Sequence, residues 1–350
     1  MGPKNIRTIL LPYISRNGHN IHSKIVGGGI EKFTKNIYEV FPKAIPVEIT
    51  SEDRKAKKTK QIYLEAVNKY SPDLIIVNDI DSYWLYPQIE LGIPTIAIAH
   101  EPLTGDIRYL AWWRGMQKFI DAGGHLYFVS EYQQKFHARN VERITGAPLQ
   151  GIKGIINSGF ANGTEQVKKN SSYDAVTIGR TDTTKNPFLL HKKLSGTGLS
   201  SCIITNAENF QQNKAQQKYW DDNLYWKDPQ HTYRGLNHQN TLDVMATAQC
   251  YVSTMPIESW GITCMEALLH GLPVILLCNQ SGRHASETIP AESWHYKILK
   301  KSCSQKELTD AIEEFRSYTY KDRLKISEET KKKHSKEKWV SAWNAMLQKL

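Results

Sequence analysis

Two glutamates, Glu258 and Glu266, stand eight positions apart in the segment Glu258-Ser-Trp-Gly-Ile-Thr-Cys-Met-Glu266, just before an apolar run. Eight residues correspond to about two and a quarter turns of α-helix. If a helix begins near Gly261, Glu258 lies in the loop at its N-terminus and Glu266 lies inside it. Both carboxylates can then face one crevice and accept hydrogen bonds from hydroxyl groups. The competing interpretation is an ordinary amphipathic helix with two solvated glutamates.

A pair of cations, Arg180 and Lys185, follows an apolar run in the second half of the chain, within Ile178-Gly-Arg-Thr-Asp-Thr-Thr-Lys185. An arginine and a lysine five residues apart across a turn can hold both phosphates of a nucleoside diphosphate. The arginine would bind through two parallel hydrogen bonds and the lysine as a point charge. Two solvated surface cations are the alternative interpretation.

Glycines and a histidine occupy two further positions at which α/β proteins bind ligands. Gly27-Gly28-Gly29 precedes a helical pattern, where free backbone N–H groups and the helix dipole attract anions and glycine permits close approach. His100 follows a buried-strand pattern, and open α/β sheets bind ligands at the carboxyl ends of their strands. Gly28, Gly29 and His100 are therefore candidate contacts, although a flexible turn and a structural histidine would look the same.

Taken together, these segments resemble the retaining nucleotide-sugar glycosyltransferases of family 4. The similarity includes the Glu-x7-Glu signature followed by Gly271-Leu-Pro-Val-Ile275, a Gly-Arg-x4-Lys motif and a Gly-Gly-Ile-Glu loop. Val129-Ser-Glu131 and Ile156-Asn-Ser-Gly159 occupy further positions of the family pattern. Two departures are Trp260, where many relatives carry phenylalanine, and Asn157, which lacks the preceding proline.

The resemblance implies transfer of a sugar from a nucleoside diphosphate sugar, expected to be a UDP-sugar, with retention at the anomeric carbon. It implies that His100, Arg180, Lys185 and Glu258 are catalytic. The expected donor contacts are Gly28, Gly29, Arg180, Lys185, Glu258, Trp260, Gly261, Ile262, Thr263 and Glu266. Because cations and amides of the chain would stabilise the leaving diphosphate, we expect no metal ion or other cofactor.

Short β-branched runs alternate with helical patterns along the chain, which predicts an α/β fold with mostly parallel, doubly wound sheets. Strands are predicted at 7–12, 44–49, 73–77, 95–99, 125–129, 173–178, 201–205, 250–253 and 273–277. The predicted helices include 30–40, 61–69, 307–315 and 321–350. The resemblance implies the GT-B arrangement, in which two Rossmann-like domains face a cleft and a C-terminal helix returns to the first domain.

The predicted domains are an acceptor-binding domain at 1–165, a nucleotide-sugar-binding domain at 166–330 and a C-terminal helix at 331–350, with loop-like composition between 157 and 172. Trp339 and Trp343, one turn apart, are expected to pack that helix down. A length of 350 residues and a hydrophobic content of 40% suit two globular cores.

The five cysteines include no C-x-x-C pair and are expected to be reduced core residues of a cytoplasmic protein. No apolar run approaches the roughly 20 residues that span a bilayer, and the N-terminus shows no signal-peptide pattern. We therefore expect a cytoplasmic protein, in the host cytoplasm if a phage encodes it, without stable membrane insertion.

The net charge of +10 points to an anionic partner. Five cations fall within seven residues, namely Arg54, Lys55, Lys57, Lys58 and Lys60. A second segment interleaves aromatic residues with arginine, namely Arg108, Trp112, Trp113 and Arg114. Such segments can neutralise phosphates and stack on bases. A solvated helix start and partly buried tryptophans are the alternatives.

The segments at Arg180 and at His100 through Asp106-Ile-Arg108-Tyr-Leu are also similar to bacteriophage enzymes that glucosylate 5-hydroxymethylcytosine in DNA. The leading hypothesis is therefore a glycosyltransferase acting on this base in double-stranded DNA, presented as a flipped nucleotide. One alternative is synthesis of a surface polysaccharide or lipid-linked glycan. Another is a basic nucleic-acid-binding module without catalysis. The sequence predicts neither which sugar is transferred nor the oligomeric state.

Overall fold

The chain forms two compact units. The computed structural model describes residues 6–15, 21–22, 29–78, 82–100, 110–183, 185–205, 214–223, 231–255, 260–278 and 294–350. The first unit comprises Met1–Gly159 with Lys336–Leu350, and the second comprises Phe160–Ser335. The domain limits expected from the sequence, after residues 165 and 330, lie a few residues from these.

The first unit is built on a six-stranded parallel sheet in the order β2-β1-β3-β4-β5-β6. Its strands are β1 (Ile9–Ile14), β2 (Ile45–Ile49), β3 (Leu74–Val77), β4 (Thr95–Ala99), β5 (His125–Phe128) and β6 (Gly154–Ile155). Its helices are α1 (Gly29–Val40), α2 (Ser51–Lys55), α3 (Thr59–Tyr70), α4 (Ser82–Leu91), α5 (Leu110–Asp121) and α6 (Glu131–Thr145). Every residue of β3 and β4 is buried, as expected for central parallel strands covered on both faces.

The second unit repeats this plan with a parallel sheet in the order β12-β11-β10-β7-β8-β9. Its strands are β7 (Tyr173–Ile178), β8 (Ser201–Thr205), β9 (Thr232–Arg234), β10 (Ala248–Ser253), β11 (Val274–Cys278) and β12 (Tyr296–Lys300). Its helices are α7 (Leu189–Leu194), α8 (Lys214–Asp222), α9 (His238–Met245), α10 (Ile262–Leu269), α11 (Gln305–Arg316) and α12 (Tyr320–Lys333). The α/β class with two parallel sheets is thus confirmed.

The strands that the sequence pattern missed are short or lie at sheet edges. β6 and β9 have two and three residues, too few for a hydrophobic period to show. β12 alternates partly exposed positions and carries two lysines, as edge strands often do. All five cysteines are unpaired and buried, which confirms that they are core residues.

The prediction of one helix over 321–350 is wrong, because the segment forms two helices that belong to different units. α12 ends at Lys333, and its C-cap residue His334 has φ −111° and ψ 40°. The next helix, α13 (Lys336–Leu347), begins two residues after His334 and belongs to the first unit. The buried Arg323 fixes α12 to the second unit by donating hydrogen bonds to the carbonyl oxygens of Gly271 and Ala246 and to the Ser171 hydroxyl.

The helix α13 packs on the first unit through its two tryptophans, as predicted. The Trp343 ring is fully buried and lies 5.7 Å from the Phe41 ring and 6.4 Å from the Phe33 ring, measured between centroids. The Trp339 indole N–H donates to the carbonyl oxygen of Asn157 at 2.7 Å. The return of the last helix to the first unit is therefore confirmed.

None of the helices in the described part of the chain combines the length and the apolar character that a bilayer span requires.

We predict that Trp343→Ala lowers the free energy of unfolding of the first unit by about 3–5 kcal/mol, because the change leaves a cavity among buried rings. Urea unfolding followed by circular dichroism measures this change. Asn344→Ala is the matched control, because Asn344 is exposed one position further along the same helix. Equal stabilities for the two variants would contradict the packing role assigned to α13.

Candidate functional site

The strand order of the second sheet reverses between β7 and β10. Strands β8 and β9 continue on one side of this pair, and β11 and β12 continue on the other. Connections leave such a pair in opposite directions and open a crevice at the carboxyl ends of the strands, where α/β sheets bind ligands. The loop carrying Arg180 follows β7, and the segment leading to α10 follows β10. Both sequence motifs therefore lie at the switch point of this sheet.

Asp182 organises the loop after β7. One oxygen of its carboxylate lies 3.1 Å from the Nε atom of Arg180, whose side chain is about half exposed. The other oxygen accepts a hydrogen bond from the backbone N–H of Lys185 at 2.8 Å. The aspartate thus orients the arginine and shapes the turn that presents the lysine. Sequence reasoning missed this role, although the acidic residue inside the motif was visible.

Lys185 is held from two further directions. The buried Thr254 hydroxyl, which follows β10, donates to the carbonyl oxygen of Lys185 at 2.6 Å. A Cβ atom placed on Gly179 would lie 3.0 Å from the Lys185 Cβ, so the stem of the lysine packs directly on this glycine. The next residue, Asn186, adopts a left-handed conformation with φ 45°, and its side-chain oxygen accepts a hydrogen bond from the Tyr219 hydroxyl at 2.8 Å. The backbone position of the lysine is therefore strongly restrained.

The helix α10 begins where the sequence predicted. Gly261 is its N-cap residue and is left-handed, with φ 83° and ψ 60°, which glycine adopts without steric cost. No capping hydrogen bond from a side chain is made at this end by the residues that the structure describes. The first N–H groups of a helix have no intrahelical acceptor, so the amides that begin with Ile262 and Thr263 form a site suited to an anion.

Trp260 has a packing role in the second unit. Its side chain is buried, and its ring meets the His334 ring edge-on, with centroids 5.4 Å apart. The indole therefore fixes the backbone that leads into α10. A contact between Trp260 and a donor remains a prediction.

Glu266 lies inside α10, as expected from its spacing. Its side chain is 12% exposed, and one carboxylate oxygen lies 3.1 Å from the Nε2 atom of His238. His238 is the first residue of α9, a helix capped by the side chain of Asn237. His238 could not be identified from the sequence, because it lies 28 positions before Glu266. The local signal was Asn237, a residue type common at helix N-caps, which marks the start of α9.

Several predicted site residues lie outside the described residues. These are Gly28, Glu258 and Arg108, together with the side chains of Trp112 and Trp113, whose backbone belongs to α5. Gly29 is the first residue of α1. The roles assigned to all of them stay predictions.

His100 follows β4 in the first unit. Its ring packs edge-on against Phe33 at a centroid distance of 4.6 Å. Burial lowers the pKa of His100 from 6.5 to about 3, so the imidazole is neutral near neutral pH. Its Nε2 atom is buried and has no hydrogen-bond partner among the described residues. A neutral ring of this kind can exchange a hydrogen bond with a hydroxyl but cannot act as a cation.

The basic segment Arg54–Lys60 lies on the surface of the first unit. All five of its cationic side chains are exposed, and Arg114 in α5 is exposed as well. The ammonium of Lys60 lies over the Tyr86 ring at 5.0 Å from its centroid. The segment spans the end of α2, a left-handed Lys57 with φ 57°, and the start of α3.

No group of three or more His, Cys, Asp or Glu side chains is placed to hold a metal ion within the residues that the structure describes.

We predict that the His100 imidazole does not titrate between about pH 5 and pH 8. Because its folded-state pKa lies below the unfolded value of 6.5, the unfolded chain binds this proton first, and His100 contributes stability that is lost as the pH falls from 6.5 towards 3. NMR of histidine-labelled protein, with His100→Gln to assign the signal, measures the titration. A midpoint near pH 6.5 would contradict the buried, neutral state.

Comparison with known proteins extends these observations. Residues 162–333 match the family described as Glycosyl transferases group 1, and this segment contains Arg180, Lys185 and Glu266. No curated protein matches the chain.

Several solved structures share the fold. Anabaena Alr3699/HepE in complex with UDP-glucose is 14% identical, with a TM-score of 0.71 over 98% of this chain and 100% of that one. Sucrose-phosphate synthase from Thermosynechococcus elongatus is 13% identical, with a TM-score of 0.69 over 98% of this chain and 97% of that one. A chain of the GtfA/B complex is 12% identical, with a TM-score of 0.58. The similarity covers 83% of this chain and 60% of that one.

The family match covers nearly all of the second unit, and the fold similarity extends over both units. The chain is therefore an enzyme, a glycosyltransferase with the GT-B fold whose second unit matches the family of glycosyl transferases group 1.

Proposed function

We propose that the second unit binds a nucleoside diphosphate sugar, UDP-linked, at the switch point between β7 and β10. The observation that carries this proposal is the loop in which Asp182 orients Arg180 and shapes the turn of Lys185. Thr254 ties that loop to the strand that leads into α10. The structure of HepE with UDP-glucose supports the proposal as a protein of similar fold.

The chemistry of the proposed site is electrostatic. As the bond between the anomeric carbon and the diphosphate breaks, negative charge grows on the leaving group. Arg180, Lys185 and the first amides of α10 would stabilise that charge. Because Asp182 and Thr254 hold the loop in place before the donor binds, little reorganisation is needed at the moment of reaction. The positive charge comes from the chain itself, so the proposal includes no divalent metal.

The two glutamates would hold hydroxyl groups of the donor. Glu266 is proposed to accept hydrogen bonds from the ribose or the sugar, with His238 restraining its carboxylate. Glu258 is assigned to the transferred sugar on the family resemblance alone. The neutral His100 is proposed to pair with a hydroxyl of the reacting groups. Retention at the anomeric carbon is likewise proposed from the resemblance.

The proposed acceptor is the hydroxyl of 5-hydroxymethylcytosine in double-stranded DNA. That oxygen would bond to the anomeric carbon, the diphosphate would leave with the electron pair of the broken bond, and the hydroxyl proton would pass to solvent. The net charge of +10 and the exposed basic segment support a polyanionic acceptor. A base within a duplex must leave the stack to react, and Trp112 or Trp113 would support the extruded base.

We predict that Arg180→Ala and Lys185→Ala each lower kcat/KM for the nucleotide sugar by about 30-fold or more, equivalent to about 2 kcal/mol of lost transition-state stabilisation. Steady-state kinetics measures the change. Lys192→Ala is the control, because this exposed lysine of α7 belongs to the same unit outside the proposed site. Unchanged turnover in both variants would remove the donor-site assignment.

We also predict that the enzyme adds a sugar to duplex DNA containing 5-hydroxymethylcytosine and not to the unmodified duplex. The assay incubates each duplex with common UDP-sugars, digests the product and determines the masses of the nucleosides. Hydrolysis of the UDP-sugar without transfer to DNA would retain the donor site and exclude this acceptor. A polysaccharide or lipid-linked acceptor would then be the better hypothesis.

A further inference from the structure

His100 and the start of the basic segment lie at the same edge of the sheet in the first unit. All six strands of that sheet run parallel, so their carboxyl ends meet at the same edge. His100 follows the end of β4, and Thr50 follows the end of β2 and leads directly into α2. The basic segment Arg54–Lys60 therefore begins on the same edge as His100.

The strand order gives the distance between the end of β4, where His100 lies, and the end of β2, where the chain enters α2. β2 and β4 are three interstrand spacings apart, in the order β2-β1-β3-β4. Three spacings amount to about 14 Å. The same length corresponds to about four base pairs along a duplex.

Local hydrogen bonds hold the backbone of the basic segment. Thr50 and Asp53 form a reciprocal capping box at the start of α2. The N–H of Lys57 donates to the carbonyl oxygen of Arg54 at 3.0 Å, and that of Lys58 donates to the carbonyl oxygen of Asp53 at 2.9 Å. The cations are thus presented from a fixed turn, which reduces the entropy lost when a partner orders them.

The charge of the segment is largely uncompensated. None of its cations forms an ion pair with a carboxylate of the described residues. Two acids, Glu52 and Asp53, precede the segment in the first turn of α2. Asp53 accepts hydrogen bonds from the backbone N–H and the hydroxyl of Thr50. Those bonds, with a smaller contribution from Lys58, lower the pKa of Asp53. A polyanion would therefore meet five exposed cations within seven residues.

The composition of the segment itself favours a phosphate backbone over a lipid surface. The exposed large apolar side chains of the described residues are Tyr70, Leu91, Trp294, Ile298 and Tyr320, and none of them lies within it. Binding in a membrane interface requires an apolar face beside the cations. A chain of phosphodiesters needs only matching charge.

We propose that a duplex lies along the carboxyl edge of the first unit. Its reacting nucleotide is at His100, and its phosphates about four base pairs away contact the basic segment. The identity of the reacting nucleotide rests on the proposed function. The contact between the basic segment and phosphates does not.

The opposite edge of the same sheet provides a matched control. Lys43 lies between α1 and β2, Lys69 lies in the last turn of α3, and Lys118 lies in the last turn of α5. All three are exposed. Replacing them removes the same number of charges from the same unit, at the amino ends of the strands.

The experiment compares the triple variant Lys55→Ala, Lys57→Ala, Lys58→Ala with the control triple Lys43→Ala, Lys69→Ala, Lys118→Ala. Binding of a fluorescein-labelled duplex of about 20 base pairs is measured by anisotropy over a range of salt concentrations. The first variant should bind the duplex at least tenfold more weakly at low salt. The slope of log affinity against log salt should become shallower by about 0.9 for each phosphate that the variant no longer neutralises. Its UDP affinity should match that of the unmodified protein, and an unchanged urea unfolding curve followed by circular dichroism shows that its first unit is folded.

Equal reductions of affinity in both triple variants would overturn the proposal, because net charge and not position would then govern binding. It would be overturned equally if the unmodified protein bound heparin or anionic vesicles through these lysines but did not bind the duplex. Duplex binding that depends on the basic segment, without sugar transfer to 5-hydroxymethylcytosine, would retain this surface and reject only the acceptor base. Transfer to that base by the triple variant at unchanged KM would retain the function and reject the surface.

Discussion

The structure depends on one topological constraint, the reversal of strand order within each parallel sheet. In the second unit β7 and β10 are adjacent. Just beyond these strands, the Thr254 hydroxyl donates a hydrogen bond to the carbonyl oxygen of Lys185, 69 positions earlier in the chain. The parallel pairing brings the ends of these two strands together, and the loops that follow them meet only for that reason. In the first unit, β1 and β3 form the equivalent pair. The positions proposed to bind ligands follow from this pairing.

The candidate site residues near the ends of these strands differ in how far their side chains are buried. Arg180 stays about half exposed and is paired with Asp182, so its charge remains available without the desolvation that full burial would impose. Glu266 is more buried and shares a contact with His238. His100 is held neutral by burial. The second unit thus presents a solvated cation and a restrained carboxylate, and the first unit presents an uncharged imidazole.

Local features of the fold and the site could be predicted from the sequence, because they depend on neighbouring residues. A start of α10 near Gly261 could be assumed from the sequence, because an apolar helical run follows this glycine, and the helix begins at Ile262. The central strands were recognisable as continuous apolar runs. The short strands β6 and β9 were not, since two or three residues show no period.

Long-range contacts could not be predicted, because they depend on register. The pairing of Cys250 with Ala175 brings Thr254 near Lys185, and no local pattern specifies that register. The same applies to His238 and Glu266. The break between α12 and α13 occurs without proline or glycine. Only Ser335, a residue type common at helix N-caps, gave a local indication of it.

The central claim is that the switch point of the second sheet binds the diphosphate of the donor. Hydrogen–deuterium exchange with and without saturating UDP tests it most directly, because the proposed contacts include backbone amides. The account predicts slower exchange for amides at 179–186 and at the start of α10, with no change at the basic segment of the first unit. Unchanged exchange at both of those second-unit segments, with UDP bound, would contradict it.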